Sequence, residues 1–205
     1  MESNGVHVPV TFTDRLRSWF KWVVDPLGKF FLGLGMTPNM MTTLGLLGNF
    51  LGAYFLSQGK LVLGGWLVLI MTPIDALDGT MARLRGDPSE FGAFVDSVSD
   101  RYAELAILGG LMHFFAVRGN ALGSTLAFTA AAGSVLVSYV KARAESLGFE
   151  AKVGLLTRAE RYLVLAPLLV FNQPIIALWI LAILGNFTAL QRIWFVRRQA
   201  HAHMK

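Results

Sequence analysis

IDALDGTMARLRGDPSEFGAFVDSVSDRYAE, from Ile74 to Glu104, carries Asp75, Asp78, Asp87, Glu90, Asp96, Asp100 and Glu104. These are seven of the 13 acidic residues of a 205-residue chain that is 54% apolar. Asp75, Asp78, Asp96 and Asp100 sit where hydrophobic runs would otherwise continue. An ionised carboxylate in an apolar setting is costly unless it is paired or bound to a cation. Positive charge is therefore expected beside them, and a pair of divalent metal ions is the arrangement expected here.

Around this stretch the chain reads as a membrane scaffold. A mean hydropathy of +0.54, 21 glycines and only 15% charged residues indicate a polytopic, all-α integral membrane protein. Segments of alternating polarity, the mark of a β-barrel, do not occur. The absence of cysteine excludes disulfides and thiolate metal sites. The N-terminus is polar and then amphipathic, without a signal-peptide core. The net charge of +5 suits the cytoplasmic face of a membrane and its anionic headgroups better than nucleic acid, which is not expected as a partner.

Phe12, Leu16, Trp19, Phe20, Val23, Val24 and Leu27 trace one helix face, with Arg15, Arg17, Ser18 and Lys21 opposite. This pattern predicts a helix lying in the membrane interface, broken by the segment from Gly33 to Asn39. Spanning helices are expected from about Asn39 to Ser57, Leu61 to about Arg85, Glu90 to Val117 and Ala121 to Leu147. Ser89 or Asp87 is available to cap the third. The segment from Tyr162 to Phe187 reads either as one span or as two helices hinged at Asn172-Gln173-Pro174. Charge favours two. Six spans put 16 of the 18 basic residues on the cytoplasmic side and leave Lys60 and Arg118 outside, whereas five spans break the positive-inside bias. The expected division is residues 1–36 as tail and juxtamembrane helix, 37–198 as a six-helix transmembrane domain, and 199–205 as a basic tail.

Six spans also bring the four aspartates to one membrane surface. Asp75 and Asp78 are spaced i,i+3, and Asp96 and Asp100 i,i+4, so each pair shares a helix face. Four convergent carboxylates offer hard oxygens suited to Mg²⁺ or Mn²⁺. Two such ions can clamp the oxygens of a transferring phosphoryl group. Gly79 and Ala82 form a small-residue stripe that admits a flat ligand or a neighbouring helix, and Arg83 can pair with phosphate. The competing reading pairs the carboxylates with Arg83, Arg85 and Arg101, or makes them the pathway of a metal-ion transporter or channel.

The order Asp75-x2-Asp78-Gly79-x2-Ala82-Arg83-x8-Gly92-x3-Asp96-x3-Asp100 resembles, without departure, the signature of the CDP-alcohol phosphotransferases. Its eight fixed positions over 26 residues are a specific signal. The resemblance implies a six-helix membrane enzyme, usually a homodimer, that transfers a substituted phosphate from a CDP-linked donor to an alcohol and releases CMP. It implies that Asp75, Asp78, Asp96 and Asp100 bind two metals, and that Asp100 is also general base on the acceptor hydroxyl. Gly79, Arg83, Ser89 and the segment Pro38-Asn39-Met40-Met41 would contact the CDP donor. A hydroxyl is a poor nucleophile without a positioned base, and a pyrophosphate needs cations to stabilise its leaving group. Direct attack is the expected course, with a covalent aspartyl intermediate as the alternative.

The expected donor is CDP-diacylglycerol, whose acyl chains can stay in the bilayer. Lys141 and Arg143 end the fourth helix, Arg158 and Arg161 open the fifth, and Arg192 follows Gln191 in the sixth. Five cations around one mouth suit an acceptor that bears phosphate. For Lys152, Arg197 and Arg198, ordinary positive-inside decoration is the preferred reading. The strings SYVKARAE and LLTRAERYL resemble the phosphatidylinositol phosphate synthases of the family. That resemblance implies that Lys141, Arg143, Arg158, Arg161 and Arg192 bind the phosphate of inositol 1-phosphate. A phosphatidylglycerophosphate synthase, taking glycerol 3-phosphate, is the rival within the family.

Overall fold

The structure is a computed structural model that describes residues 12–75, 77–86, 89–151 and 153–203, without the side chains of 12–21, 23, 75, 202 and 203. Among the described residues all regular structure is helical: α1 (Phe12–Gly33), α2 (Pro38–Ser57), α3 (Leu61–Asp75), α4 (Leu77–Arg85), α5 (Glu90–Ala116), α6 (Ala121–Ser146), α7 (Arg158–Val170) and α8 (Pro174–His203).

The helix ends follow local chemistry. Thr37 caps α2, accepting the Met40 N–H, with Pro38 in the first turn, where a missing N–H costs nothing. Ser89 caps α5 by accepting the Gly92 N–H at 2.9 Å, and Asn120 caps α6 through Gly123 at 2.8 Å. Asp87, the other candidate cap, lies outside the described residues. Asn172 adopts the left-handed conformation at φ 57° and Pro174 opens α8, so the hinge expected at 172–174 separates α7 from α8. Thr157 opens α7, and its N–H donates to Glu160 three residues on, as in a capping box.

The break expected at Gly33 is where α1 ends. Gly28 lies against α4, where a Cβ would come within 3.2 Å of Leu84. Helix α8 continues to His203, past the expected domain end at 198. The side chains that would make α1 amphipathic fall largely outside the described residues, as do Lys152 and Lys205.

Helix α2 is central, packing on α3, α4 and α5; α5 packs on α6, α6 on α8, and α7 on α3 and α8. Their shared core includes Leu56, Val68, Ile107, Leu111, Leu165 and Leu178. The Gly48 and Gly52 stripe faces α3 within the chain: an added Cβ would clash with Met71 at the first position and come within 3.2 Å of Val68 at the second. A smaller cluster of Met41, Leu77 and Met81, with Val24 and Phe31, fastens α1 over α4.

Large apolar side chains also point outward, among them Leu47, Tyr54, Trp66, Phe128, Ile183 and Leu190, a distribution that water would penalise and lipid would not. Four helical stretches, α2, 61–85 (α3 and α4), α6 and α8, are long and apolar enough to cross a membrane. Helix α5 has 27 residues but carries Glu90, Asp96, Asp100, Arg101 and Glu104 between its first residue and just past its midpoint. Helix α7 has 13 residues and rises only about 20 Å, less than a hydrocarbon core.

Candidate active site

One end of the bundle gathers the start of α2, α4, the first half of α5, the end of α6, the start of α7 and the second half of α8. Asp78 is the second residue of α4, on the stretch 61–85 that α3 and α4 share. One of its oxygens accepts the Gly79 N–H. The other accepts the Thr42 hydroxyl of α2 at 2.5 Å. Asp78 is only 6% exposed, and so is Asp100 on α5. Asp100 forms an ion pair with Arg158 of α7 and a longer one, 3.5 Å, with Arg101. Asp96 lies one turn before Asp100 and is half-buried. Asp75 ends α3, but its side chain is outside the described residues.

Among the described residues no three carboxylate or imidazole side chains converge as an ion cage, and the Asp75 carboxylate is not among those residues. The donor set nevertheless fits a divalent ion. Its members are hard carboxylate oxygens, and Asp78 and Asp100 hold theirs out of water, where a cation offsets the desolvation cost.

Of the residues expected at the donor, Gly79 is half-buried, and Arg83 and Ser89 are exposed. Arg83 donates to Thr80 Oγ1 at 2.8 Å, which holds its guanidinium beside the first turn of α4. Asn39 and Met40 are exposed at the opening of α2, but Met41 is fully buried beneath them, packed on Leu77 and Met81. Met41 thus anchors the segment and does not present itself to a ligand. Gly92 leaves room for the α5 cap: a Cβ there would lie 2.9 Å from Ser89 Oγ.

The five cations separate into distinct environments. Arg158 is about one-third exposed and meets Asp100. Arg161 is 2% exposed; its Nε and Nη2 donate to the two Glu104 oxygens at 2.6 and 3.0 Å, and its Nη1 donates to the Leu156 carbonyl at 3.2 Å. Arg192, also buried, donates to the carbonyls of Val153 at 2.9 Å and Val137 at 2.6 Å. Lys141 is half-exposed and 3.8 Å from Glu145, a surface pairing of small energy. Arg143 is exposed. Two helical positions apart, Lys141 and Arg143 cannot share a face. Lys141 continues the inward stripe of Ser134, Val137 and Ala144, and Arg143 does not.

Arg192 belongs to a latch that binds the segment between α6 and α7 along α8. Gln199 donates to the Glu150 carbonyl at 2.6 Å and accepts its N–H at 3.0 Å. Arg192 holds Val153, and Thr188 accepts the Leu156 N–H at 3.1 Å. Three side chains on one α8 face thus satisfy backbone groups at every third residue of this strap, at 150, 153 and 156. The strap delivers Thr157 and the first turn of α7, with Arg158, to Asp100.

Sequence reading missed Thr42, Glu104, Thr188 and Gln199. Glu104 was legible, because it repeats the i,i+4 spacing of Asp96 and Asp100. Thr42, a hydroxyl in an apolar helix, carries a weaker signal. The two strap residues carry none, since their partners are backbone groups about 30 to 50 positions away.

A family model described as CDP-alcohol phosphatidyltransferase matches residues 35–197. The chain is 38% identical over 202 residues to a phosphatidylinositol phosphate synthase of Cutibacterium acnes, with 90% of this chain and 97% of that one covered. It is similar to the solved structure of Mycobacterium tuberculosis phosphatidylinositol phosphate synthase with CDP-DAG bound, at TM-score 0.77 and 30% identity over 85% of this chain and 93% of that one. The same mycobacterial enzyme in complex with manganese and citrate gives a TM-score of 0.78 at 30% identity, over 84% and 88% of the two chains.

Proposed function

Since this chain belongs to the CDP-alcohol phosphatidyltransferase family and is an enzyme of that type, we propose that it makes a phosphatidylinositol phosphate, transferring the phosphatidyl group of CDP-diacylglycerol to inositol 1-phosphate. The observation that carries this reading is the contact between buried Asp100 and half-open Arg158. It sets a carboxylate able to take the hydroxyl proton beside a cation able to hold the acceptor's own phosphate. The names of the relatives and the CDP-DAG complex of the mycobacterial enzyme support the same donor and product.

In the proposed reaction Asp100 accepts the proton of the attacking inositol hydroxyl. The hydroxyl oxygen bonds to the diacylglycerol-side phosphorus. The bond from that phosphorus to the bridging oxygen breaks, and CMP leaves with its electrons. No separate nucleophile is required. Asp75, Asp78, Asp96 and Asp100 would hold two divalent ions, Mg²⁺ or Mn²⁺, and the manganese complex of the mycobacterial enzyme supports such a cofactor. Bound there, the ions would neutralise pyrophosphate charge. Thr42 keeps Asp78 oriented through its hydrogen bond. Gly79, Arg83 and Ser89 receive the CDP moiety, together with Pro38, Asn39 and Met40 supported from below by Met41. Arg158 and Lys141 receive the acceptor phosphate, with Arg161 and Arg192 behind them and Arg143 at the outer rim.

The proposed frame is a homodimer in the cell membrane. Each subunit crosses six times through α2, α3–α4, α5, α6, α7 and α8, with α1 in the interface and the site facing the cytoplasm. The division at residues 36 and 198 belongs to this proposal. The test offers radiolabelled CDP-diacylglycerol and Mn²⁺ or Mg²⁺ to the purified enzyme in nanodiscs, with inositol 1-phosphate, glycerol 3-phosphate or free inositol in parallel. CMP release with inositol 1-phosphate and not with free inositol is expected. Faster turnover with glycerol 3-phosphate would reassign the acceptor, and no CMP release with any acceptor would overturn the reading.

A further inference from the structure

Asp96, Asp100 and Glu104 recur every four residues along α5, and Arg158 and Arg161 are three apart on α7, so each set shares a face. The two faces meet in two rungs, Asp100 with Arg158 and Glu104 with Arg161. The rungs differ in access. In the first, the Arg158 side chain is 32% exposed. In the second, the Arg161 and Glu104 side chains are 3% and 7% exposed, and three of the guanidinium's donors are already engaged. Helix α7 packs its backbone against α3 and α8 and reaches α5 through these long arginine side chains.

We propose that Glu104 and Arg161 are a positioning pair for acceptor recognition, touching no substrate themselves. This rests on the function proposed above. A two-point fork between a planar guanidinium and a carboxylate constrains both distance and rotation. Here it fixes the turn and height of α7 relative to α5, one helical turn beyond Arg158, and the Leu156 contact ties the same guanidinium to the strap. Arg158 is thereby held where it meets Asp100 and an incoming phosphate together. Arg161 supplies the geometry and Arg158 the binding charge.

A buried ion pair can also be mere packing, and its replacement by apolar side chains of similar volume is then often neutral. The double variant Glu104→Met/Arg161→Met separates the two roles. As a positioning pair, its loss leaves the thermal midpoint and the CDP-diacylglycerol KM near wild type but raises the inositol 1-phosphate KM by about tenfold or more, the scale expected when a binding group is misplaced by a fraction of an ångström. A folded double variant with wild-type acceptor KM overturns the proposal. If that variant does not fold, Glu104→Gln decides. It keeps the volume and one acceptor for Arg161, and an acceptor KM raised about fivefold, the cost of one hydrogen bond, supports the pair. An unchanged value overturns it. A wild-type enzyme that turns over while the variants keep its acceptor KM defeats the pair alone, whereas a wild-type enzyme that releases no CMP with any phosphorylated polyol defeats the underlying function and the pair with it.

Discussion

The carboxylate half of the site and its cationic half are built differently. The four aspartates lie within 26 residues on one hairpin, so helical spacing and a short loop bring them to one end of the bundle. The five cations come from α6, α7 and α8, and three of them, Arg158, Arg161 and Arg192, are positioned by a strap, a buried fork and backbone carbonyls. The first half depends on local register. The second depends on how three distant helices close, and only part of it faces the site.

The largest expected effect tests the carboxylate half. Asp100→Asn keeps the shape but removes the base, and kcat should fall at least about a hundredfold while circular dichroism and the thermal midpoint stay near wild type. Retained turnover would remove Asp100 from the chemistry. Arg192→Ala tests the cationic half as architecture. It removes the hydrogen bonds to the Val153 and Val137 carbonyls, so stability should fall by about 3 kcal/mol, read as a lower unfolding midpoint in detergent. An unchanged midpoint would mean that the strap stands without its latch.

Arg158→Ala should raise the acceptor KM about tenfold and leave the donor KM alone. A parallel rise in donor KM would place Arg158 at the pyrophosphate instead. Thr42→Val, which strips the hydroxyl from Asp78, should raise the half-saturating Mn²⁺ concentration about fivefold; no change there would make that hydrogen bond incidental. The smallest effect separates two cations that sequence treats alike. Lys141→Ala should raise the acceptor KM about threefold, the scale of one exposed charge contact, and Arg143→Ala should leave it within error. Equal effects would return Arg143 to the pocket.

Much of the fold was legible from apolar runs and their punctuation. The segments from Asn39 to Phe171 end within one or two residues of the helices observed, because glycine, proline and capping hydroxyls act locally on the backbone. The first helix ends at Gly33, where the break was expected, and the last runs on to His203. Asp96 and Asp100 were legible for the same local reason, their spacing along α5 being helical. The environment of the cations was not. Nothing in TRAERYL distinguishes Arg158, half-open against Asp100, from Arg161, sunk against Glu104, since both lie on the same face of one short helix.

Sequence alone therefore determined the order of the helices, through backbone periodicity and short loops, and the family, through the spacing of the aspartate motif. Tertiary structure alone decided which arginines are sunk against the protein and which stay open to solvent. That choice depends on burial and on partners such as Glu104 and the Val137 carbonyl, which come within reach of a guanidinium only when α5, α6, α7 and α8 close together.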